Sequence, residues 1–362
     1  ALQKDPANYR LRRQLLLLNR ASISTVHSFC MDVIKTYYYL RDLDPSFRVL
    51  DQTEADLLRQ EVLEELLEEY YEKESPGSPF YELVDAFSSD RGDQALLQLV
   101  LRLYDFSRSH PFPSDWLRKV VSLFNINSEA ELEGSGWVKI LLQHYRLELA
   151  SILSRLQKAA EIAQKPGGPA PYLKNLEEEI SFMLEASAAL HSYTKLFEVL
   201  QSSPFGTLKR CSGKVYDGIL KERARQLRDS CKKDYAKLQE ELSRPLQDQV
   251  QELRTIAPLL KTLVEVILSF EKRYQEAKRE KGVADFADLE HGALQVLSSP
   301  DSTSDLILPS KAALDYRRYF AEVLVDEYQD INQVQETILQ LVSLPEPEGN
   351  LFMVGDIKQS IY

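Results

Sequence analysis

The sequence has little glycine, 13 residues in 362, and only three cysteines. Scarce glycine beside abundant Leu, Glu, Lys, Arg and Gln predicts a mostly helical chain. Cys30, Cys211 and Cys231 lie far apart and none stands in a CxxC. That argues against a disulfide framework or a thiolate zinc site and predicts buried free thiols. No apolar run approaches the ~20 residues needed to cross a bilayer. No basic-then-apolar leader opens the chain, so the expectation is a cytoplasmic protein with no membrane partner. Excess positive charge is missing too. The formal charge is −12, a global balance that speaks against nucleic acid, although the field at a binding face is local. An initiating Met is also absent. A charged helical pattern is already under way at Ala1, and the chain stops at Tyr362 directly after a strand-and-turn signal. Both ends read as cuts in a longer protein.

A hydrophobic fraction of 44% is that of a globular chain, and the length suggests two or three domains at ~100–200 residues each. Residues 5–19 have helical leucine spacing. ASISTVHSFC alternates and suggests a short strand leading into a loop, with a helix over 31–40 and another short strand over 47–50. Asp51 or Thr53 offers an N-cap for a long helix over 54–72. From there to about 281 the pattern is helical, broken at SPGSP, HPFP, EGSG, KPGGPAP and SSPFG. No repeat of fixed period occurs. After Gly282 the texture changes. DFADLEHGALQVL reads as a capped helix, 319–325 as a strand, 333–344 as an amphipathic helix and 351–354 as a second strand. Strand, helix, strand at this spacing fits a parallel crossover.

VLVDEYQD, residues 323–330, runs from β-branched residues straight into Asp326 and Glu327, and LFMVGD ends in Asp356. Ligands of open parallel sheets bind at the carboxyl ends of strands. An acid there can hold Mg²⁺ directly or through water, and a second acid can take a proton from water. That is the chemistry of nucleotide hydrolysis. On VLVDE alone, a buried strand ending in solvated acids explains the residues as well.

VDEYQD followed by VGDIKQSIY resembles motifs II and III of the UvrD/Rep-like superfamily 1 helicases, and most of all the AddA-type subunit of the bacterial helicase–nuclease. ISTVHSFC resembles the DNA-contacting segment of that family, LDPSFRVLDQTEADLL the lead into its helical insertion, and GVADFADLEHGALQVL its DF-x-DL element. The resemblance is strongest over 10–70 and 270–362. It implies an α/β, predominantly helical fold. A partial P-loop-NTPase (RecA-like) parallel sheet would be split by a large all-helical insertion, with residues 1–50 and 281–362 as parts of motor domain 1A and 51–280 as subdomain 1B. It implies ATP and Mg²⁺ as cofactors, with Asp326 on the metal and Glu327 as general base. Gln329 and Asp330 would couple the site to its neighbours, Gly355 and Asp356 would belong to it, and Gln359 would sense the γ-phosphate. Thr25, His27, Ser28 and Tyr362 would face DNA. The plainer reading of His27 is a capping or core histidine. The parent would unwind and process double-strand DNA ends for recombinational repair, with exonuclease activity and a second subunit of AddB type.

The G-x-x-x-x-G-K-[ST] that cradles phosphates does not occur. CSGKV at 211–215 has Leu208 where the first Gly belongs and Val215 where the hydroxyl belongs. The expectation is that this chain alone does not turn over ATP. Between Lys209 and Lys233, nine basic residues face three acids. Lys221, Arg225, Arg228 and Lys232 share one helical face and could meet phosphates, or form a solvated face balanced by nearby acids. The alternative to a motor is a non-enzymatic helical DNA-binding or scaffold module. It gives no reason for Gln359 to follow Asp356 by three.

Overall fold

A computed structural model describes residues 9, 12, 13, 16, 21–40, 47–88, 92–211 and 215–360. Tyr362, Lys214 and most of the helix expected over 5–19 lie outside the described residues. The chain divides into two compact units, residues 1–122 with 259–362, and residues 123–258. These limits fall inside the segment 51–280 that the sequence reading assigned to one insertion.

The first unit begins with helix α1, Val26–Thr36. The strand expected in ASISTVHSFC does not form. Thr25 Oγ1 accepts the Ser28 amide at 3.3 Å, so its hydroxyl caps a helix, and the helix period overrides the short alternation. Strand β1, Arg48–Val49, precedes α2, Gln52–Lys73. Asp51 accepts the Glu54 amide and Glu54 returns the bond to the Asp51 amide, a capping box that starts the helix one turn ahead of its leucine face. Then follow α3, Pro79–Phe87, α4, Gln94–Arg108, and α5, Pro113–Ser122.

The second unit contains α6, Glu129–Glu133, α7, Gly136–Gln164, α8, Leu173–Ala188, α9, Tyr193–Leu200, and α10, Gly218–Glu241. Its core brings Leu149, Ile152 and Leu156 of α7 against Met183 of α8 and Cys231 and Tyr235 of α10. Helix α11, Leu246–Lys281, has Pro258 inside it, where the units divide. Gly282 ends it at φ +63°, a left-handed conformation that costs glycine nothing.

The rest belongs to the first unit: β2, Val283–Ala284, α12, Phe286–Leu297, α13, Lys311–Tyr319, β3, Val323–Val325, α14, Gln333–Val342, and β4, Leu351–Met353. The residues expected to open a strand at 319 instead close α13. The one split sheet of the sequence reading appears, among the described residues, as two separate parallel pairs, β1–β2 and β3–β4. Arg48 pairs with Val283, so the chain leaves for the long helical segment and returns from it side by side. Val323 pairs with Leu351 and Val325 with Met353, the parallel crossover expected for the acid-ended strands. The protein is thus mostly helical with small parallel sheets. Among the described residues no helix is long and apolar enough to cross a membrane.

A buried charge network fixes the start of α12. Lys278 is 1% exposed. Its Nζ lies 3.1 Å from Asp285 and 2.5 Å from Asp288. Arg108 of α4 reaches Asp288 at 3.3 Å, and Arg59 of α2 reaches Asp285 at 3.4 Å. Both carboxylates also cap α12 reciprocally. Burial raises the Asp285 carboxyl, but the charge of Lys278, the Asp288 amide and Arg108 outweigh it and hold the acid well below its ordinary range. Its contribution to stability is therefore present above the usual Asp range and disappears as pH falls through the depressed value.

Replacing Lys278 by Met should cost about 3 kcal/mol in urea unfolding, because Asp285 and Asp288 lose the buried ammonium they share and keep only the longer contacts to Arg59 and Arg108. The double variant Lys278→Met/Asp285→Asn should recover more than half, since Asn still caps the helix. Equal loss in the single and double variants would contradict the pairing.

Candidate active site

Strands β3 and β4 deliver Asp326 and Asp356 to one end of a parallel pair. Immediately beyond, Glu327 adopts φ +51°, ψ +42°, the left-handed region that costs a non-glycine residue ~1–2 kcal/mol. Tyr328 to Asp330 then form one 3₁₀ turn. The strain turns the chain so that the Tyr328 amide donates to the Val354 carbonyl at 2.9 Å, continuing the pairing past the strand ends.

One side chain closes the arrangement. Gln329 Nε2 donates to Glu327 Oε2 at 2.6 Å, and Gln329 Oε1 accepts the Asp356 amide at 2.9 Å. Asp356 in turn accepts from Gln359 Nε2 at 2.9 Å and from the Lys358 amide at 3.0 Å. These two bonds, the Gln359 one foremost, hold its carboxyl below the ordinary range. The resulting path runs Glu327, Gln329, Asp356, Gln359, and it joins the two acid-ended strands. Gly355 makes the approach possible. A Cβ there would stand 2.7 Å from Gln329 Oε1 and 3.1 Å from the Gln329 amide nitrogen. Asp326 accepts the Glu327 amide through Oδ1 at 2.9 Å. Among the described residues its Oδ2 has no partner. A single exposed hard-oxygen donor of this kind fits Mg²⁺, which keeps waters and phosphate oxygens for its other positions. No group of three or more metal-ligating side chains occurs among the described residues. The Asp330 amide bonds to the Glu327 carbonyl at 3.0 Å, and its side chain is exposed.

Thr25, His27 and Ser28 come together in the first turn of α1, with Thr25 and Ser28 exposed. The capping reading falls to Thr25. His27 instead points its Nε2 at Glu290 Oε1, 2.9 Å away, and packs edge-on against Phe286. Sequence reasoning passed over Glu290, since a lone acid inside DLEHGAL carries no mark of what faces it.

The basic stripe in the second unit does not survive as expected. Buried residues of α10 fall at Ala224, Arg228, Cys231, Tyr235 and Leu238, so Arg228 takes a core position. It is 4% exposed, with Nε and Nη2 on the Glu179 carboxylate at 2.8 and 2.5 Å and Nη2 also on the Gly206 carbonyl. A guanidinium this buried and neutralised by its own carboxylate is withdrawn from a phosphate in solvent, and charge reversal there would set two buried carboxylates against each other. Lys221 spends its ammonium on the Cys211 carbonyl at 3.1 Å. Arg225, facing Asp229 at 3.5 Å, and Lys232 remain exposed.

The UvrD/REP helicase N-terminal domain family matches residues 3–362. The chain belongs to that family. It is 45% identical over 362 residues to the A subunit of the ATP-dependent helicase/nuclease of Bacillus licheniformis, covering 100% of this chain and 29% of the relative. It is 46% identical over 364 residues to the protein of the same description from Geobacillus thermodenitrificans, with the same coverage. The chain thus spans about 29% of the length of these helicase/nuclease relatives.

Gly355→Ala should open the junction between the strand ends and cost about 1–3 kcal/mol, the usual penalty for overpacking. Chemical denaturation of the variant checks this. An unchanged midpoint would mean that Gln329 does not pass that close.

Proposed function

We propose that the two strand ends form the magnesium–triphosphate side of an ATP-hydrolysing motor. The parent protein would be one subunit of a helicase/nuclease that unwinds and processes double-strand DNA ends for recombinational repair in the cytoplasm, together with a second subunit of AddB type. The single observation that carries this reading is the Gln329 bridge, which places Glu327 and Asp356–Gln359 in one hydrogen-bonded array at the carboxyl ends of a parallel pair. Residues 1–50 and 281–362 are then parts of motor domain 1A of RecA-like type, and 51–280 is the inserted subdomain 1B.

The chemistry follows from the side chains. Glu327, oriented through Oε2 by Gln329, takes the proton of the attacking water. Asp326 would hold Mg²⁺ through Oδ2; when bound, the ion neutralises phosphate charge. Gln359, free to exchange its bond to Asp356 for a phosphate oxygen, reports the presence of the γ-phosphate. Asp330 stays solvent-facing at the rim. On the DNA side, Thr25 and Ser28 at the exposed start of α1 meet the single-strand backbone and Tyr362 stacks on a base. Arg225 and Lys232 remain as phosphate partners in the second unit.

In the full-length protein, Glu327→Gln should lower DNA-stimulated ATP hydrolysis at least about 100-fold, the ordinary weight of a general base, with ATP affinity held within a few-fold. Hydrolysis near the parent rate would remove Glu327 from the role. The 362-residue chain by itself should not turn over ATP, since it contains no phosphate-cradling G-x-x-x-x-G-K-[ST]. Glu327-dependent turnover by the purified chain would contradict that.

A further inference from the structure

The acid behind His27 has a geometry that neither capping nor packing requires. Glu290, on α12, is 4% exposed and receives three side-chain donors. Oε1 accepts from His27 Nε2 at 2.9 Å and from Gln335 Nε2 at 2.6 Å, while Oε2 accepts from Asn332 Nδ2 at 3.0 Å. Burial raises its carboxyl, but the bonds from His27, Asn332 and Gln335 outweigh it and keep the group ionised. A carboxylate only accepts, so the His27 nitrogen facing it carries a proton. Asn332 is also the N-cap of α14, accepting the Gln335 amide at 2.8 Å. It stands two residues beyond Asp330, whose amide is bonded back to the Glu327 carbonyl at 3.0 Å. The start of α14 is gripped a second time where the Val334 amide donates to the Ser109 carbonyl at 3.2 Å.

We propose that Glu290 is a positioning residue that locks the His27 turn of α1 to the start of α14, so that the placement of the Glu327 turn and that of the DNA-facing turn are set together. The inference rests on the functional reading above and deepens it. A movement of Glu327 on nucleotide binding pulls on a short bonded turn ending at Asn332. Asn332 cannot shift without its bond to Glu290, and Glu290 cannot shift without His27. Two surface turns thereby share one buried anion, and coupling between sites needs such a contiguous element with differential contacts in two states. A neutral amide at 290 cannot replace the anion. Its nitrogen would face one of three donors.

The test uses the full-length protein. Single-strand DNA affinity is measured with and without a non-hydrolysable ATP analogue, and the ratio of the two is the coupling. Glu290→Gln should move that ratio at least about fivefold toward one, with some loss of melting temperature because a buried donor then faces a donor, and with the affinity for each ligand alone within a few-fold of wild type. Glu290→Asp, which keeps the acceptors, should restore part of it. Should Glu290→Gln fail to fold, Asn332→Gly, a tolerated N-cap with no side-chain donor, drops the bond to Glu290 and carries the same expectation. A lowered melting temperature with an unchanged ratio would show a purely structural node and overturn the proposal. Glu327→Gln separates the two claims. If hydrolysis depends on Glu327 while Glu290→Gln leaves the ratio intact, the relay alone fails; if hydrolysis ignores Glu327, the site reading fails and the relay with it.

Discussion

The junction between the two acid-ended strands depends on one side-chain amide. Two parallel strands of three residues each end in exposed acids, and such short strands fix little beyond themselves. Gln329 spans the gap by donating to Glu327 and accepting from the Asp356 amide. Glycine at 355 clears its path, and the left-handed Glu327 aims the acid toward it. Strain of this kind persists where the surroundings over-determine it, and it gathers at functional sites. Without the bridge, Glu327 and Gln359 would be two exposed side chains on separate loops.

Lys278, Arg108 and Arg59 meet Asp285 and Asp288 in a buried setting that ties α2, α4 and α11 to the first turn of α12. One turn further along the same helix, Glu290 gathers His27, Asn332 and Gln335. Helix α12 therefore carries a structural charge cluster at its start and an anion shared by two surface turns one step later. Its apolar positions, among them Leu289, Ala293 and Leu297, pack with Val33 of α1 and with Val334 and Ile338 of α14. Packing and polar bonding constrain the same three helices.

Local chemistry made much of this legible. Asp51 and Asp285 announced their helices as N-caps, and the β-branched run into Asp326 announced a strand end with its parallel partner. The misreadings share a cause: a pattern too short to choose its period. The stretch from Ser22 to Val26 alternates over too few residues to be told from the approach to a Thr25-capped helix. Tyr319 looks like a strand former but finishes the turn of α13. Arg228 reads as a surface cation when charge alone is followed along α10, yet it occupies the core face of that helix, and only Glu179, distant in sequence, explains its burial. Glu290 and Gly355 gave no local sign, because their partners come from other elements.

The most direct measurement is amide hydrogen exchange at Asp356. Its N–H sits in an exposed loop and its bond is to Gln329 Oε1, whereas the Val354 amide bonds to the Val325 carbonyl in the strand pair. The account predicts that Gln329→Leu speeds exchange at Asp356 by about tenfold or more while Val354 stays protected. Equal exchange at Asp356 in the two proteins would mean that the strand ends are not held by this bridge, and the single nucleotide site built on it would not stand.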